Sequence, residues 1–220
     1  MVIYRSAQTV NLYELIDRDR LATQMAGGRY LQILEMQAHG AWVQLLEDGY
    51  TGWVRQKDIA NLEPVSAYTP PPPLDRGQIE GLLPQILNYI YHAQAQPHEY
   101  LWGGTVPPHF DCSGLMQAAF ASVGVWLPRD AYQQEAFSQP LSLDQAEMGD
   151  LIFFGSPAKA THVGFYLGAG SYIHSSGKDH GHNGIQTSSL EGVDRVSQTY
   201  AQQWRGVGRV MASYSPPLLK

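Results

Sequence analysis

Residues 109–120 read HFDCSGLMQAAF and contain Cys112, the only cysteine of this 220-residue chain. The cysteine stands between Asp111 and Ser113, two residue types that cap helix starts, and an apolar run of good helix formers follows it. Free backbone amides and the helix dipole favour an anion at a helix start, so we expect a lowered thiol pKa. A lone cysteine is more often a small buried apolar residue. The pattern around Cys112 favours a nucleophile over that structural role.

A cysteine nucleophile needs a base, and the base needs an orienting group. Two later segments that read as strands each carry a histidine, His162 in THVGFYLG and His174 in SYIHSS. A three-residue loop at residues 168–170 would pair Leu167 with Ser171. It would place both histidines on one face of the sheet, because side chains alternate along a strand, whereas a two-residue loop would separate them. Either histidine alone is more often an ordinary half-buried polar residue.

Composition limits the classes of partner. The chain has 14 basic and 20 acidic residues, which argues against nucleic acid because phosphate contacts need a basic face. No apolar stretch approaches the ~18 residues of a membrane-spanning helix. The N-terminal residues lack the apolar segment of a secretory signal, and one cysteine cannot form an internal disulfide. We therefore expect a cytoplasmic protein whose partner is neither nucleic acid nor membrane; the oligomeric state stays open.

The histidines of KDHGHNG, His180 and His182, are the remaining candidates for a metal site. No nearby set of acidic residues and histidines completes such a site, and a solvated glycine-rich loop is the favoured interpretation. The sequence therefore predicts no metal and no cofactor.

Four consecutive prolines in AYTPPPPLD, residues 67–75, mark a boundary, because such a run favours extended polyproline II and excludes helix or central strand. We assign residues 1–65 to a first domain, 66–78 to a linker and 79–220 to a second domain.

The two domains differ in their patterns. The first carries short strand-like segments, TVNLY, RYLQILEM, AWVQLLE and TGWVRQ, with AGGR and EDGY as turns, which predicts a small β-barrel. The second begins with helical patterns over residues 79–95, with Pro84 near the start, and over residues 113–123, with Gly124 as a C-terminal cap. Strand-like segments DLIFFG, THVGFYLG, SYIHSS and GVGRVM follow, so the predicted class is α+β.

Six motifs occur in the order found in the NlpC/P60 cysteine peptidases: YLWGG, DCSGL, LPRDAYQQ, GDLIFF, HVGFYLG and YIHSS. The resemblance covers residues 79–215. The first domain resembles a bacterial SH3-like barrel, mainly through VNLY and EDGYTGWV. Together these resemblances imply a papain-like NlpC/P60 catalytic domain preceded by a small SH3-like β-barrel.

The resemblance also implies catalytic roles. Cys112 would be the nucleophile, His162 the base and His174 the orienting residue. Tyr100 would donate a hydrogen bond near the oxyanion or the thiol, as suits a phenol aimed at developing negative charge. The competing interpretation of Tyr100 is a core aromatic beside Trp102.

The family's usual target is the bond between D-γ-glutamate and a diamino acid in murein stem peptides. By resemblance, Asp130 would hold the free amine of an N-terminal L-alanine, and Tyr50 would close that end of the cleft. Ala131 stands where relatives often have Ser or Thr, so one amine contact is absent. Ser113 and Arg129 are further candidate substrate contacts. A surface ion pair between Arg129 and Asp130 is an equally good interpretation.

Two other functions remain open at this point. One is a non-catalytic cell-wall-binding protein that uses the barrel, which the intact set of cysteine and histidines disfavours. The other is a cysteine-dependent amidase or acyltransferase on the same scaffold. The charged segment ELIDRDR is expected to be solvated surface.

Overall fold

The computed structural model describes residues 2–217. The part before the prolines contains β1 (Ile3–Ser6), β2 (Val10–Tyr13), β3 (Leu21–Met25), β4 (Tyr30–Gln37), β5 (Gly40–Leu45), β6 (Thr51–Arg55), α1 (Gln56–Ile59) and β7 (Leu62–Val65). The strands form one antiparallel sheet in the order β3-β2-β6-β5-β4-β1-β7.

This sheet encloses a core of its own. Alternate residues of β3 are buried, namely Leu21, Thr23 and Met25, as expected for a strand with one face inward. The AGGR and EDGY turns lie where predicted, and each holds a glycine at positive φ, Gly28 and Gly49. The sequence missed β1, β3 and β7, which are short and carry polar residues among their apolar ones.

The part after the prolines contains α2 (Arg76–Ala95), β8 (Thr105–Val106), β9 (His109–Phe110), α3 (Cys112–Ala121), α4 (Ala131–Phe137), β10 (Gln139–Leu141), β11 (Leu151–Gly155), β12 (Ala160–Gly168), β13 (Ser171–Ser176), β14 (Gly184–Ser189), α5 (Arg195–Ala201) and β15 (Trp204–Arg209). Six strands form a sheet in the order β10-β15-β11-β12-β13-β14, and β8 pairs with β9. The predicted α+β class is confirmed. Within residues 2–217, no helix has the length and apolar character needed to cross a lipid bilayer.

Helix α2 begins earlier than expected. The Asp75 carboxylate accepts a hydrogen bond from the Gln78 amide at 3.0 Å, and the Gln78 side chain accepts one from the Asp75 amide. This reciprocal cap fixes the helix start at Arg76. Residues 76–78, assigned above to the linker, are therefore helical, and Pro84 lies inside the helix rather than near its start.

The six-stranded sheet is covered on both faces. Alternate side chains such as Phe153 and Phe165 pack in the cluster that includes the buried residues of α2 and α3, whereas Phe154 and Tyr172 pack with Tyr200 of α5. Because side chains alternate along each strand, a shift of one position would move a residue between these two clusters.

The turn between β12 and β13 differs from the prediction, because Gly168 rather than Leu167 pairs with Ser171. The turn residues are Ala169 and Gly170, both at positive φ, as a two-residue hairpin turn requires. A bulge between Tyr166 and Gly168 takes up the extra residue. The bulge restores the register, so the two strand histidines still share a face.

Candidate active site

The start of α3 is held by Asp111. One carboxylate oxygen accepts from the Gly114 amide at 2.7 Å, which caps the helix, and the other accepts from the Gly103 amide at 2.8 Å. Arg129 binds both oxygens, with Nη1–Oδ1 at 3.1 Å and Nη2–Oδ2 at 2.6 Å. Cys112 is thereby fixed as the first residue of α3.

Arg129 is buried and connects the two parts of the chain. Besides Asp111, it donates to Ser113 Oγ at 3.0 Å and to Thr23 Oγ1 of β3 at 2.8 Å. The suggested surface ion pair with Asp130 is wrong, because the guanidinium lies in the interior and pairs with Asp111. Arg129 and Ser113 both border the cleft, but their side chains are hydrogen-bonded to each other. Their contact with substrate stays a prediction.

The Cys112 thiol lies against the backbone on both sides of His162. Its Sγ is 4.0 Å from the Thr161 carbonyl oxygen. Burial, and then the Asp111 charge, raise the pKa of the Cys112 thiol to about 12, although the amides of Val163 and Ser113 favour the thiolate. The expected lowering of the thiol pKa is therefore wrong, because desolvation outweighs the helix start. The thiol is protonated at rest and needs a base.

His162 and His174 form a direct hydrogen bond, with Nε2 of the first 2.6 Å from Nδ1 of the second. His174 Nε2 in turn lies 3.0 Å from Ser188 Oγ on β14. Burial lowers the pKa of His162 well below its usual range and that of His174 to about 3, so both rings are neutral at pH 7. If Nε2–H of His162 donates to His174, Nδ1 of His162 is left as an acceptor for the thiol proton.

Tyr200 of α5 holds the His162 ring in place. The two rings stack with centroids 4.1 Å apart and 21° between their planes. The Tyr200 hydroxyl is 2.7 Å from Ser176 Oγ, which fixes the phenol. Nothing in the sequence motifs pointed to Tyr200, since it comes from a helix that the pattern did not reveal.

The segment KDHGHNG is a largely exposed loop, as expected, but its two histidines are half-buried. His180 packs on the Tyr200 ring at 5.3 Å between centroids, and His182 packs on His174 at 5.9 Å. Both therefore lie around the buried histidine pair. Among the described residues, no cluster of three or more His, Cys, Asp or Glu side chains is arranged to hold a metal ion.

A cleft of about 480 Å³ opens beside the thiol, between the barrel and the second domain. Its wall includes every candidate substrate or oxyanion contact, Tyr50, Tyr100, Ser113, Arg129 and Asp130. Burial raises the pKa of Tyr100, and the charge of Cys112 would raise it further, so the phenol keeps its proton.

Asp130 and Tyr50 meet across the two domains. The Tyr50 hydroxyl is 3.3 Å and 3.4 Å from the two Asp130 carboxylate oxygens. Burial raises the pKa of Asp130, while the nearby Arg129 charge lowers it. This carboxylate is a partly desolvated anion in the cleft, and Ala131 beside it offers no hydroxyl.

Several other residues of the cleft wall were missed. Glu14 belongs to ELIDRDR, which was expected to be plain surface, and it lines the cleft together with Trp102, Tyr132 and Lys159. The Glu14 carboxylate binds Arg20 at 2.8 Å, and the Arg20 guanidinium lies over the Trp102 ring. Trp102 and Tyr132 lie in the quoted motifs YLWGG and LPRDAYQQ, which could have indicated them, whereas Glu14 joins the cleft only because the two domains dock.

Comparison with known proteins gives two family matches. The NlpC/P60 family model matches residues 97–208, and the bacterial dipeptidyl-peptidase Sh3 domain matches residues 12–59. The bifunctional muramidase/DL-endopeptidase CwlT of Bacillus subtilis is 40% identical over 116 residues, 51% of this chain and 32% of that protein. The probable endopeptidase p60 of Listeria monocytogenes is 39% identical over 103 residues, 46% of this chain and 20% of that protein.

The chain thus spans a third or less of the length of these relatives. Among solved structures, an NlpC/P60 family protein from Bacillus cereus matches 96% of this chain and 63% of its own, with a TM-score of 0.50 and 20% identity. At that identity the likeness concerns the fold alone.

Proposed function

Because the chain belongs to the NlpC/P60 family of endopeptidases, we propose that it is a cysteine peptidase acting on murein stem peptides with a free N-terminal L-alanine. The bond cleaved is the one between D-γ-glutamate and the diamino acid. One observation carries the proposal: the Cys112 thiol shares a single cleft with Asp130, a partly buried anion held by Tyr50 of the barrel.

The proposed chemistry starts from a protonated Cys112 thiol and a neutral His162 ring. Nδ1 of His162 takes the thiol proton while the Cys112 sulfur forms a bond to the γ-carbonyl carbon. The Tyr100 hydroxyl donates to the oxyanion that develops, because its raised pKa keeps it protonated. The C–N bond then breaks, and the imidazolium of His162 returns the proton to the leaving amine of the diamino acid. Water, deprotonated by His162, hydrolyses the thioester and restores the thiol.

Recognition of the free amine follows from charge. A substrate ammonium would pair with the Asp130 carboxylate, which burial has deprived of water. Tyr50 orients that carboxylate, and Glu14 adds a second anion to the same cleft. An N-acetylated or glycan-linked peptide has no ammonium and carries extra bulk at this end.

A requirement for a free L-alanine suits peptides already released from the glycan. We therefore propose a role in the recycling of murein peptides, in the cytoplasm. Cell fractionation followed by immunodetection tests the location, and detection in the wall fraction alone would contradict it.

The deciding measurement is kcat/KM for L-Ala-γ-D-Glu-diaminopimelate and for its N-acetylated counterpart. Leaving Asp130 buried without its cationic partner costs several kcal/mol. At about 1.4 kcal/mol per tenfold, we expect a preference of at least roughly a hundredfold for the free peptide. Asp130→Asn erodes that preference more than it slows turnover of bound substrate.

The matched control is Asp144→Asn, at an exposed position of a 3-10 turn outside the cleft lining, which keeps the wild-type preference. Equal rates for the two peptides in the wild type would refute the amine site and favour a wall-binding role for the barrel. Transfer of the acyl group to an added amine instead of water would favour the acyltransferase alternative.

A further inference from the structure

Among the described residues that line the cleft, one cation makes no ion pair with a carboxylate. Arg129 also borders the cleft, but both carboxylate oxygens of Asp111 hold its guanidinium. Lys159, in the turn between β11 and β12, lines the same cleft and makes no ion pair among residues 2–217. Its Nζ lies 5.3 Å from the centroid of the Tyr132 ring, which also lines the cleft. An unpaired ammonium over an aromatic face is available to an incoming anion.

Lys159 lines the same cleft as Asp130 and Cys112 and has neighbours from both sides of that site. Tyr132, which it faces, follows Asp130 by two residues. Thr161, two residues beyond Lys159 on the other side, presents its carbonyl 4.0 Å from the Cys112 sulfur. The charge of Lys159 also lowers the pKa of Asp130 against the larger effect of burial, as expected for two charges that share a cleft.

The substrate proposed above carries an anion at the corresponding place. In a γ-linked D-glutamate, the α-carbon bears both the amide to L-alanine and a free carboxylate. The scissile carbonyl lies three bonds further along the side chain. The free carboxylate therefore lies between the terminal ammonium and the bond to be cleaved. An α-linked glutamate reverses this order, and in D-isoglutamine the carboxylate is a neutral amide.

We propose that Lys159 binds the α-carboxylate of the γ-linked D-glutamate and so selects peptides with a free carboxylate over peptides amidated at that position. This inference rests on the proposed function and adds a specificity-determining residue to it. The cleft then offers an anion for the ammonium, a cation for the carboxylate and a sulfur for the γ-carbonyl.

The test compares kcat and KM for L-Ala-γ-D-Glu-diaminopimelate and for the same peptide with its α-carboxyl as a carboxamide. A hydrogen bond between charged groups favours the carboxylate by about tenfold, and we expect this difference in KM. Lys159→Met removes the preference, whereas Lys159→Arg retains the charge and the preference. Lys178→Met, at an exposed lysine outside the cleft lining, is the matched control and keeps the wild-type ratio.

A Lys159→Met variant that keeps the wild-type preference overturns the inference, while the proposed function stands as long as the γ-bond is still cleaved. A wild-type enzyme that prefers the carboxamide also overturns it. Cleavage of neither peptide by the wild type overturns both the proposed function and this inference. Circular dichroism spectra that match the wild type exclude a folding defect in either variant.

Discussion

At the scale of single residues, the hydroxyl of Ser188 is the hydrogen-bond partner of the outer nitrogen of the histidine pair. Ser188 is buried on β14, with Oγ 3.0 Å from His174 Nε2. A proton on that nitrogen leaves Nδ1 of His174 free to accept from His162. We infer that Ser188 is a positioning residue, which sets the tautomer of His174 when its hydroxyl accepts from Nε2–H.

We expect Ser188→Ala to lower kcat about tenfold with KM unchanged, because the loss of one hydrogen bond of about 1.4 kcal/mol lets His174 adopt the wrong tautomer. Steady-state kinetics measure the split between kcat and KM, and 15N NMR of His174 reports the tautomer. Ser188→Thr keeps the hydroxyl and most of the activity. Ser189→Ala, on the next residue of the same strand, is the control; an unchanged kcat in Ser188→Ala would contradict the role.

At the scale of elements, two glycines of the second domain differ in the sign of their backbone φ, although both have open space where a Cβ would lie. Gly81 lies inside α2 with ordinary helical dihedrals, and Gly124, in the turn that follows α3, has φ at +84°. A Cβ built on either glycine meets no atom within 4 Å. Substitution therefore tests backbone conformation alone, without packing.

We expect Gly81→Ala to raise the free energy of unfolding by up to ~1 kcal/mol, because alanine has the higher helix propensity. Gly124→Ala lowers it by ~1–2 kcal/mol, because a side chain is strained in the left-handed region. Urea unfolding of both variants measures the two effects. Shifts of the same sign would show that the end of α3 does not need its left-handed residue.

At the scale of the whole molecule, the barrel and the catalytic part share a buried polar interface behind the thiol. Gln117 of α3 donates to Asp48 of the barrel at 3.0 Å, and Thr105 Oγ1 donates to the Gln24 carbonyl at 2.8 Å. With the contact from Arg129 to the barrel, these bonds anchor both ends of the segment that carries Cys112. The barrel is thus part of the support of the active site.

We expect Gln117→Met to lower the free energy of unfolding by about 1–3 kcal/mol, because it leaves a buried carboxylate with one donor fewer. Hydrogen exchange of the β5 amides then becomes faster, although the substitution lies in the other part of the chain. Gln94→Met, which removes a bond within the catalytic part, is the control and leaves β5 unchanged. Unaltered exchange of β5 in Gln117→Met would mean that the two parts unfold independently.

The sequence by itself determined the class of fold and the family. An SH3-like barrel followed by an NlpC/P60 domain was predicted from six ordered motifs, a proline run and two strand patterns. This prediction is confirmed. These features are local, since caps, turns and alternation act between residues close in the chain. Local signals also placed Cys112 at a helix start, whereas His162 and His174 share a face through a bulge between Tyr166 and Gly168 that was not predicted.

Only the tertiary structure decided what surrounds those residues. The thiol pKa was expected to fall but rises, because burial depends on neighbours from distant elements. Arg129 binds Asp111 and Thr23, residues far from it in sequence, instead of lying beside Asp130 on the surface. Contacts between distant elements also bring Glu14, Lys159, Ser188 and Tyr200 to the site. A cleft between two domains is made of contacts that separate segments create only when they dock, and no local pattern encodes them.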